Sequence, residues 1–481
     1  MKSKALYLTI YILLTALLFP FAACDDTDDY SSDPKHTLRF SLDTLCMDTV
    51  ITGVPTPTYQ LKIYNPHKKA LLVSSIHLAD AGNSGFRINM DGMPGNRFSD
   101  VEIAGKDSLY LFVEATLPQQ QSEGIRLIRD SILFQLNGIR QEVKLWAYAQ
   151  DAYVFRGKVI RQDTLITSIR PILIYDSISI APGAHLTLAA GTRLYFHGKA
   201  GMQVHGRLSA EGTLSAPVIF RGDRTDRMFS YLPYDRLPGQ WGGIHFFTTS
   251  YDNHLIYADI HGGSFGIRCD SSETDRMKLR LESSVIRQVS GNGLELTSCQ
   301  AVIGNSEICN AGDNCVSLLG GDYTFTHCTL ANYFNWNVRK GTALQIRNEW
   351  NGTDYPLSSA IFRNCIIAGS STDEINGSRS KNENIAFNYY FSHSLIHSIK
   401  EENDRIVNVV WEKDDNFLLI DGRTQEYNFN LGEKSKAVNI GNKEDARAYP
   451  TDRNGKSRLL DEVPDAGCYE LIRNEEKAAM P

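Results

Sequence analysis

Six times between residues 255 and 396 one short pattern returns: a small residue, any residue, then Ile or Leu. The copies are Ala258-Asp259-Ile260, Ser284-Val285-Ile286, Ser306-Glu307-Ile308, Cys328-Thr329-Leu330, Cys365-Ile366-Ile367 and Ser394-Leu395-Ile396. Their aliphatic residues stand 26, 22, 22, 37 and 29 positions apart. A return every roughly 20 to 30 residues marks a solenoid, whose levels bury their apolar faces only by stacking on one another. The unit reads as strand. Residues 280–286, 294–297, 301–308 and 323–330 alternate and carry β-branched side chains, with Gly291-Asn292-Gly293, Gly304-Asn305 and Gly320-Gly321 between them. Short strands with Gly/Asn corners, one turn per roughly 22 residues, predict a parallel β-helix. The small residue fits a corner where stacked inward positions leave little room.

At 481 residues the chain exceeds the roughly 250 that one compact core covers, so two domains or an elongated solenoid are expected. Residues 37–150 read as a separate all-β domain. Short runs at 38–42, 59–64, 70–78, 85–90, 108–115, 131–136 and 142–149 are divided by turn signals such as Asn65-Pro66, Asp91-Gly92 and Asn137-Gly138. About seven strands at that spacing predict a small immunoglobulin-like β-sandwich, expected to act as a spacer. Residues 151–433 carry the solenoid, with an end cap at 151–168 and a long loop at 222–239, and residues 434–481 form a tail.

Lys2 and Lys4, the apolar run 5–21 and Ala22-Ala23 before Cys24 make residues 1–23 a signal peptide. A bare membrane anchor is the alternative, since the run is nearly long enough to span. The cysteine tips the balance: the segment resembles a bacterial lipoprotein signal cut before Cys24, whose thiol then carries lipid and ties the chain to the outer membrane. Phe21 departs from the aliphatic residue usual at its place. Residues 24–36 form an acidic linker in which Asp25, Asp26, Asp28 and Asp29 resemble the surface-export signal of Bacteroides-type lipoproteins. That implies exposure at the cell surface; a merely solvated linker is the alternative.

The remaining cysteines form no C-x-x-C pair, so zinc and thioredoxin-type readings fail and no disulfide framework is assumed. Cys328 and Cys365 act as compact residues of the repeat. A net charge of −7, a pI near 6.0 and the lack of a Lys/Arg block argue against a nucleic-acid partner. No metal or cofactor is expected: the chain has no P-loop, nucleotide fingerprint, H-E-x-x-H or G-x-S-x-G. Oligomeric state stays open.

The tail carries Asp452, Gly455, Arg458, Asp465, Gly467, Tyr469 and Glu470. Their spacing resembles the D-x-x-G…R…D-x-G-x-Y-E ending of bacterial surface proteins of the choice-of-anchor Q class, with Cys468 where Ala is usual. Taken with residues 61–66 and 238–243, nearly the whole chain is similar to Bacteroides-type surface lipoproteins with a right-handed, pectin-lyase-like parallel β-helix. The resemblance implies fold and location and brings no settled activity.

Hydrolysis of a polysaccharide needs two carboxylates across the scissile bond. Gly312-Asp313-Asn314-Cys315-Val316 resembles the G-D-D-C segment of polygalacturonase-type hydrolases, but Asn314 stands where the second acid belongs. Asp313 is therefore the one, weak catalytic candidate, and a plain Asx turn is the competing reading. Lyase chemistry needs a Lys or Arg base and calcium-binding acids, and no Asp-rich motif supplies the latter. Asp223, Asp226 and Asp235 alternate with arginines in what reads as a self-paired loop, and His245, His254 and His261 are scattered.

Aromatic residues among polar ones are the better signal. Tyr231 and Tyr234 share the 222–239 loop; Tyr333, Trp336, Arg339, Lys340, Arg347, Trp350 and Tyr355 fall where the repeat lengthens to 37 residues. Exposed rings beside amides and cations form platforms for sugar rings, and an insertion on one face of a solenoid is often its binding face. Packing of those rings over the solenoid's side is the alternative. Three functions follow: a surface lipoprotein binding a glycan or other partner without catalysis, a polysaccharide lyase or hydrolase, or a structural adhesin.

Overall fold

The computed structural model describes residues 30–80, 83–414, 416–460 and 462–471; Cys24 and the leader lie outside them. The chain is all-β and divides into two compact units: residues 1–119 with 126–149, and residues 120–125 with 150–481.

The first unit has two five-stranded sheets. One runs, in spatial order, Arg39–Phe40, Tyr59–Tyr64, Ser108–Ala115, Phe86–Met90 and Met93–Gly95; the other Thr44–Ile51, Ile139–Gln150, Arg126–Leu136, Leu71–Leu78 and Arg97–Ile103. Leu61, Ile63, Leu111 and Val113 of the first sheet share a core with Val73, Ile132, Phe134 and Val143 of the second. Thr44–Ile51 and Arg97–Ile103 were not expected as strands. The latter is an edge strand exposing Arg97, Ser99, Asp100 and Glu102, so it lacks the apolar run that signals a buried strand.

The second unit is a stack of parallel strands in an 18-stranded and a 10-stranded sheet, compatible with a β-helix. Three ladders run through it. Val285–Val289, Leu294–Thr297 and Gln300–Gly304 pair in parallel with Glu307–Ala311, Val316–Leu319 and Gly321–Thr326, each 22 residues onward. The six repeat aliphatics form one inward column, Ile260 on Ile286, Ile308, Leu330, Ile367 and Ile396 in register. All six are buried to 1% or less. Residues 151–168, expected as a cap, are the first strands of both sheets.

The small residue of the repeat has a hydrogen-bonding task besides its size. The residue before it has positive φ at every copy: Tyr257, Ser283, Asn305, His327, Asn364 and His393. A left-handed residue turns the chain sharply and leaves backbone groups without ladder partners. Ser284, Ser306 and Ser394 hydroxyls donate to the carbonyls of Glu282, Gly304 and Ser392, and accept the N–H of Ala258, Ser284 and Cys365 from the level before. The Cys328 and Cys365 thiols donate to Thr326 and Arg363 carbonyls.

The tail packs against the Glu307–Ala311, Thr329–Asn332 and Ile366–Gly369 ladder. Arg458, fully buried, pairs with Glu470 and donates to Asn305 Oδ1 at 2.8 Å; Tyr469 donates to Glu307 Oε2 at 2.7 Å. Asp452 accepts the N–H of Lys456 and Glu470, and Asp465 those of Asn439 and Leu471. Gly467 sits at φ +89°, where a Cβ would meet Ile366 Cδ1 at 2.7 Å. Every residue of the tail pattern thus fastens the tail to itself or to the stack; Gly455 turns at φ +83° and its N–H bonds the Asp452 carbonyl at 3.0 Å.

Three buried carboxylates lie in the field of the Arg458 guanidinium, which pairs directly with Glu470. Burial raises Asp452 and Asp465, and pushes Glu470 up to about 7 against the opposing pull of Arg458. The folded tail therefore holds protons that the unfolded chain releases above about pH 4.5. This contribution to stability is present at low pH and is lost as pH rises through about 7. Glu470→Gln fixes the neutral form. Relative to the unaltered chain, its urea midpoint should rise between about pH 5 and about pH 8; a constant difference would refute the assignment.

Candidate functional site

One ladder faces outward into an open groove of about 800 Å³. Its strands are Leu294–Thr297, Val316–Leu319, Leu344–Arg347 and Ile375–Ser378. Alternation sends Leu294, Val316 and Leu344 into the core and leaves Glu295, Ser317, Gln345 and Asn376 as an outward row in register. Ser317 hydrogen-bonds Gln345 at 3.2 Å. The floor is polar along its length.

The walls come from the long repeat. Its extra residues form two loops rather than one: 333–343, before Leu344–Arg347, and 348–356, after it. The first is held by Arg339, which pairs with the fully buried Glu374 at 2.9 Å and also donates to Asn332 O and Ser371 Oγ. Glu374 further accepts the N–H groups of Ala343 and Ser371. The second loop is the hairpin Glu349–Trp350 with Thr353–Asp354. Half-exposed Trp350 lies under the Arg347 guanidinium, 4.4 Å from the ring centroid. Burial holds Arg347 below the usual arginine range. Its side chain makes no hydrogen bond among the described residues, and its Nε is buried without a partner.

Asp313 enters the groove from the corner before Val316–Leu319, and its carboxylate has no hydrogen-bond or ion-pair partner among the described residues. Lys340, exposed and likewise unpaired, stands on the first wall. Glu295 is engaged, by Asn292 Nδ2 at 3.0 Å and Arg268 at 3.4 Å. Asn314 donates to Asn292 Oδ1 and accepts the Thr342 N–H at 3.0 Å, so it ties three levels at one corner. A second acid there would lack the donor. The turn reading, in which Asp313 and Asn314 bond their own backbone, does not hold: Asn314 bonds across levels to Asn292 and Thr342, and the Asp313 carboxylate has no partner among the described residues.

Six sequence candidates line this groove: Asp313, Arg339, Lys340, Arg347, Trp350 and Tyr355. Three do not. Tyr333 packs edge-on against Phe417 and lies 6.0 Å from Phe429. Tyr231 stacks on Phe229 at 5.7 Å, and Tyr234 carries Arg224 over its ring at 3.8 Å. Trp336 is exposed on the first loop but does not line the groove. Glu295, Ser317, Gln345 and Asn376 were missed, although each follows a core aliphatic in the same way, as in Leu294-Glu295-Leu296 and Leu344-Gln345-Ile346.

A second polar cluster pins the 222–239 loop. His261, almost fully buried, is bonded through Nδ1 to Asp259 at 2.8 Å and through Nε2 to Asp235 at 2.9 Å; Arg287 and Arg221 pair with the two acids. Burial alone would raise both carboxylates, but the histidine and arginines hold them well below the usual range. Every member is engaged. It is a fastening rather than a reactive centre.

No family model matches the chain, and no curated protein matches it. Among solved structures, the VesB protease of Vibrio cholerae aligns with a TM-score of 0.18 at 11% identity over 24% of this chain and 32% of its own. A family 123 glycoside hydrolase from Clostridium perfringens aligns with a TM-score of 0.17 at 9% identity over 25% of this chain and 30% of its own. The chain spans a third or less of either, and likeness at that level supports no conclusion about fold or activity.

Arg339 and Arg347 differ in what their loss should do. Glu374→Ala strands the Arg339 guanidinium and should cost about 3–5 kcal/mol in urea unfolding. Arg347→Ala, which breaks no ion pair, should cost under about 1 kcal/mol. Equal losses would contradict this division of roles.

Proposed function

We propose that this chain is an outer-membrane lipoprotein, anchored through Cys24 and exposed at the cell surface, that binds a glycan without catalysis. In this reading the parallel stack is a right-handed β-helix, and an immunoglobulin-like domain spaces it from the membrane. The observation that carries the binding reading is the pairing of Trp350 and Arg347 beside the uncharged amides Gln345 and Asn376 in one open groove. A sugar ring stacks on an indole face while its hydroxyls bond to amides and hydroxyls alongside.

Asp313 favours a second reading, a polysaccharide-active enzyme. It is an unpaired carboxylate in the same groove as unpaired Lys340 and Arg347. Against hydrolysis stands the engagement of Glu295, which leaves no second free acid on the floor.

Both readings meet in one experiment, affinity electrophoresis of the chain lacking its leader against a panel of polysaccharides, with assay of new chain ends. Retention should weaken about tenfold on Trp350→Ala and be unchanged on Tyr231→Ala. New reducing or unsaturated ends that vanish on Asp313→Asn would make the protein an enzyme, and no retention by any polysaccharide would sink the glycan reading. The anchor is tested separately: the whole chain expressed in a Gram-negative host should partition into detergent, and Cys24→Ser should not.

A further inference from the structure

The first unit carries a basic, aromatic concavity of about 720 Å³ on the end where the chain enters it. Arg39, Lys62 and Lys106 line it with Phe40 and Tyr64. Lys62 Nζ lies 5.3 Å from the Tyr64 ring and 5.1 Å from Tyr110, and no carboxylate pairs with Lys62 or Arg39 among the described residues. Lys106 bonds the Pro66 carbonyl, and the one acid in the lining, Asp107, accepts the N–H of Ser108. Two further cations, Lys68 and Lys69, sit on the adjoining loop.

That loop is rigid. Buried Asn65 donates to the carbonyls of Lys69, Ile103 and Ala104, and Gly105 approaches Lys68 so closely that a Cβ would lie 1.9 Å from its carbonyl oxygen. The entering segment, residues 31–37, is fastened to the same loop. Ser31 N–H donates to Ala70 O at 2.9 Å, His36 stacks on His67 at 4.1 Å, and His67 Nε2 meets Thr37 O at 3.1 Å. Only five residues lie between Cys24 and Tyr30, where the described chain begins, and six residue steps reach at most about 20 Å.

We infer that this concavity docks on the phosphate-bearing lipid headgroups of the membrane that holds Cys24, giving the protein a second, electrostatic contact beside its acyl anchor. Short reach fixes which end of the unit meets the bilayer, and that end carries Lys62 and Arg39, with no carboxylate partner among the described residues, flanked by rings suited to the interface. A basic patch beside an acyl anchor adds electrostatic attraction to anionic headgroups. The inference rests on the lipid at Cys24, whereas its test omits that lipid.

The chain from residue 24 onward carrying Cys24→Ser is sedimented with phosphatidylcholine vesicles containing or lacking about 30% phosphatidylglycerol. Binding should require the anionic lipid, fall in 0.5 M salt because exposed charges are screened, and drop about tenfold in Lys62→Glu/Lys106→Glu. Arg39→Glu, on an exposed two-residue edge strand, gives an independent variant if the double one misfolds. Equal sedimentation with both vesicle types, or no loss in either variant, overturns the inference. So does binding that appears only after Asp25, Asp26, Asp28 and Asp29 are changed to Asn, since the acidic run would then be the occupant of the concavity. A chain that enters detergent through Cys24 yet ignores anionic vesicles refutes this contact alone. One that never carries lipid removes the premise of both.

Discussion

The constraint on which the second unit depends is the corner. Each level must leave one ladder and enter the next without a helix or hairpin to absorb the backbone groups set free, and buried groups left unpaired would cost about 1–3 kcal/mol each. The left-handed residue at 257, 283, 305, 327, 364 and 393 makes the turn. At every corner but the one with Ala258, the serine or cysteine after it caps a carbonyl within its own level, and each serine hydroxyl also takes an N–H from the preceding one. Satisfaction of one level thus requires its neighbour in register. The same register places Ile260, Ile286, Ile308, Leu330, Ile367 and Ile396 on one another. Polar and apolar demands select the same stacking, which is the consistency that lets a sequence specify a fold.

With register fixed from within, the outward positions are free of packing duty. Glu295, Ser317, Gln345 and Asn376 owe their alignment to the core residues on either side of them, so the groove floor is rigid because the core is. Long segments are tolerated only at the edges of such a ladder. The chain places 333–343 and 348–356 at those two edges, and Glu374 reaches from the next level to hold the first of them through Arg339. A groove with a preorganised floor and one fastened wall loses little entropy when it receives an extended ligand.

The apolar column was legible in the sequence because period and residue type coincide there: one aliphatic per level, with a small residue at a constant offset. The groove was half legible. Trp350, Arg347 and Tyr355 fall in the lengthened repeat, and length alone marks that loop. Tyr231 and Tyr234 have the same composition but lie in the separate 222–239 loop, since composition says nothing of which ladder a loop adjoins. Glu295 and Gln345 were illegible without register: an outward polar residue between two core aliphatics is the ordinary state of any strand. His261 was read as scattered because its partner Asp235 is 26 residues away and joins it only through the fold.

The tail shows why a pattern of acids, an arginine and glycines marks one docking geometry. Burying Arg458 requires acceptors for its guanidinium, and Glu470 and Asn305 supply them at Nη1 and Nη2 from two different elements. A buried ion pair of this kind adds little net stability over apolar packing, because desolvation offsets most of the attraction. It penalises wrong docking far more heavily: a tail displaced by one level would lose Asn305 beneath Arg458, Glu307 beneath Tyr469 and the space beside Ile366 that only Gly467 can use. The apolar ladder repeats and cannot by itself tell one level from the next. The charged tail supplies the distinction, and so fixes the tail on a surface whose own chemistry is periodic.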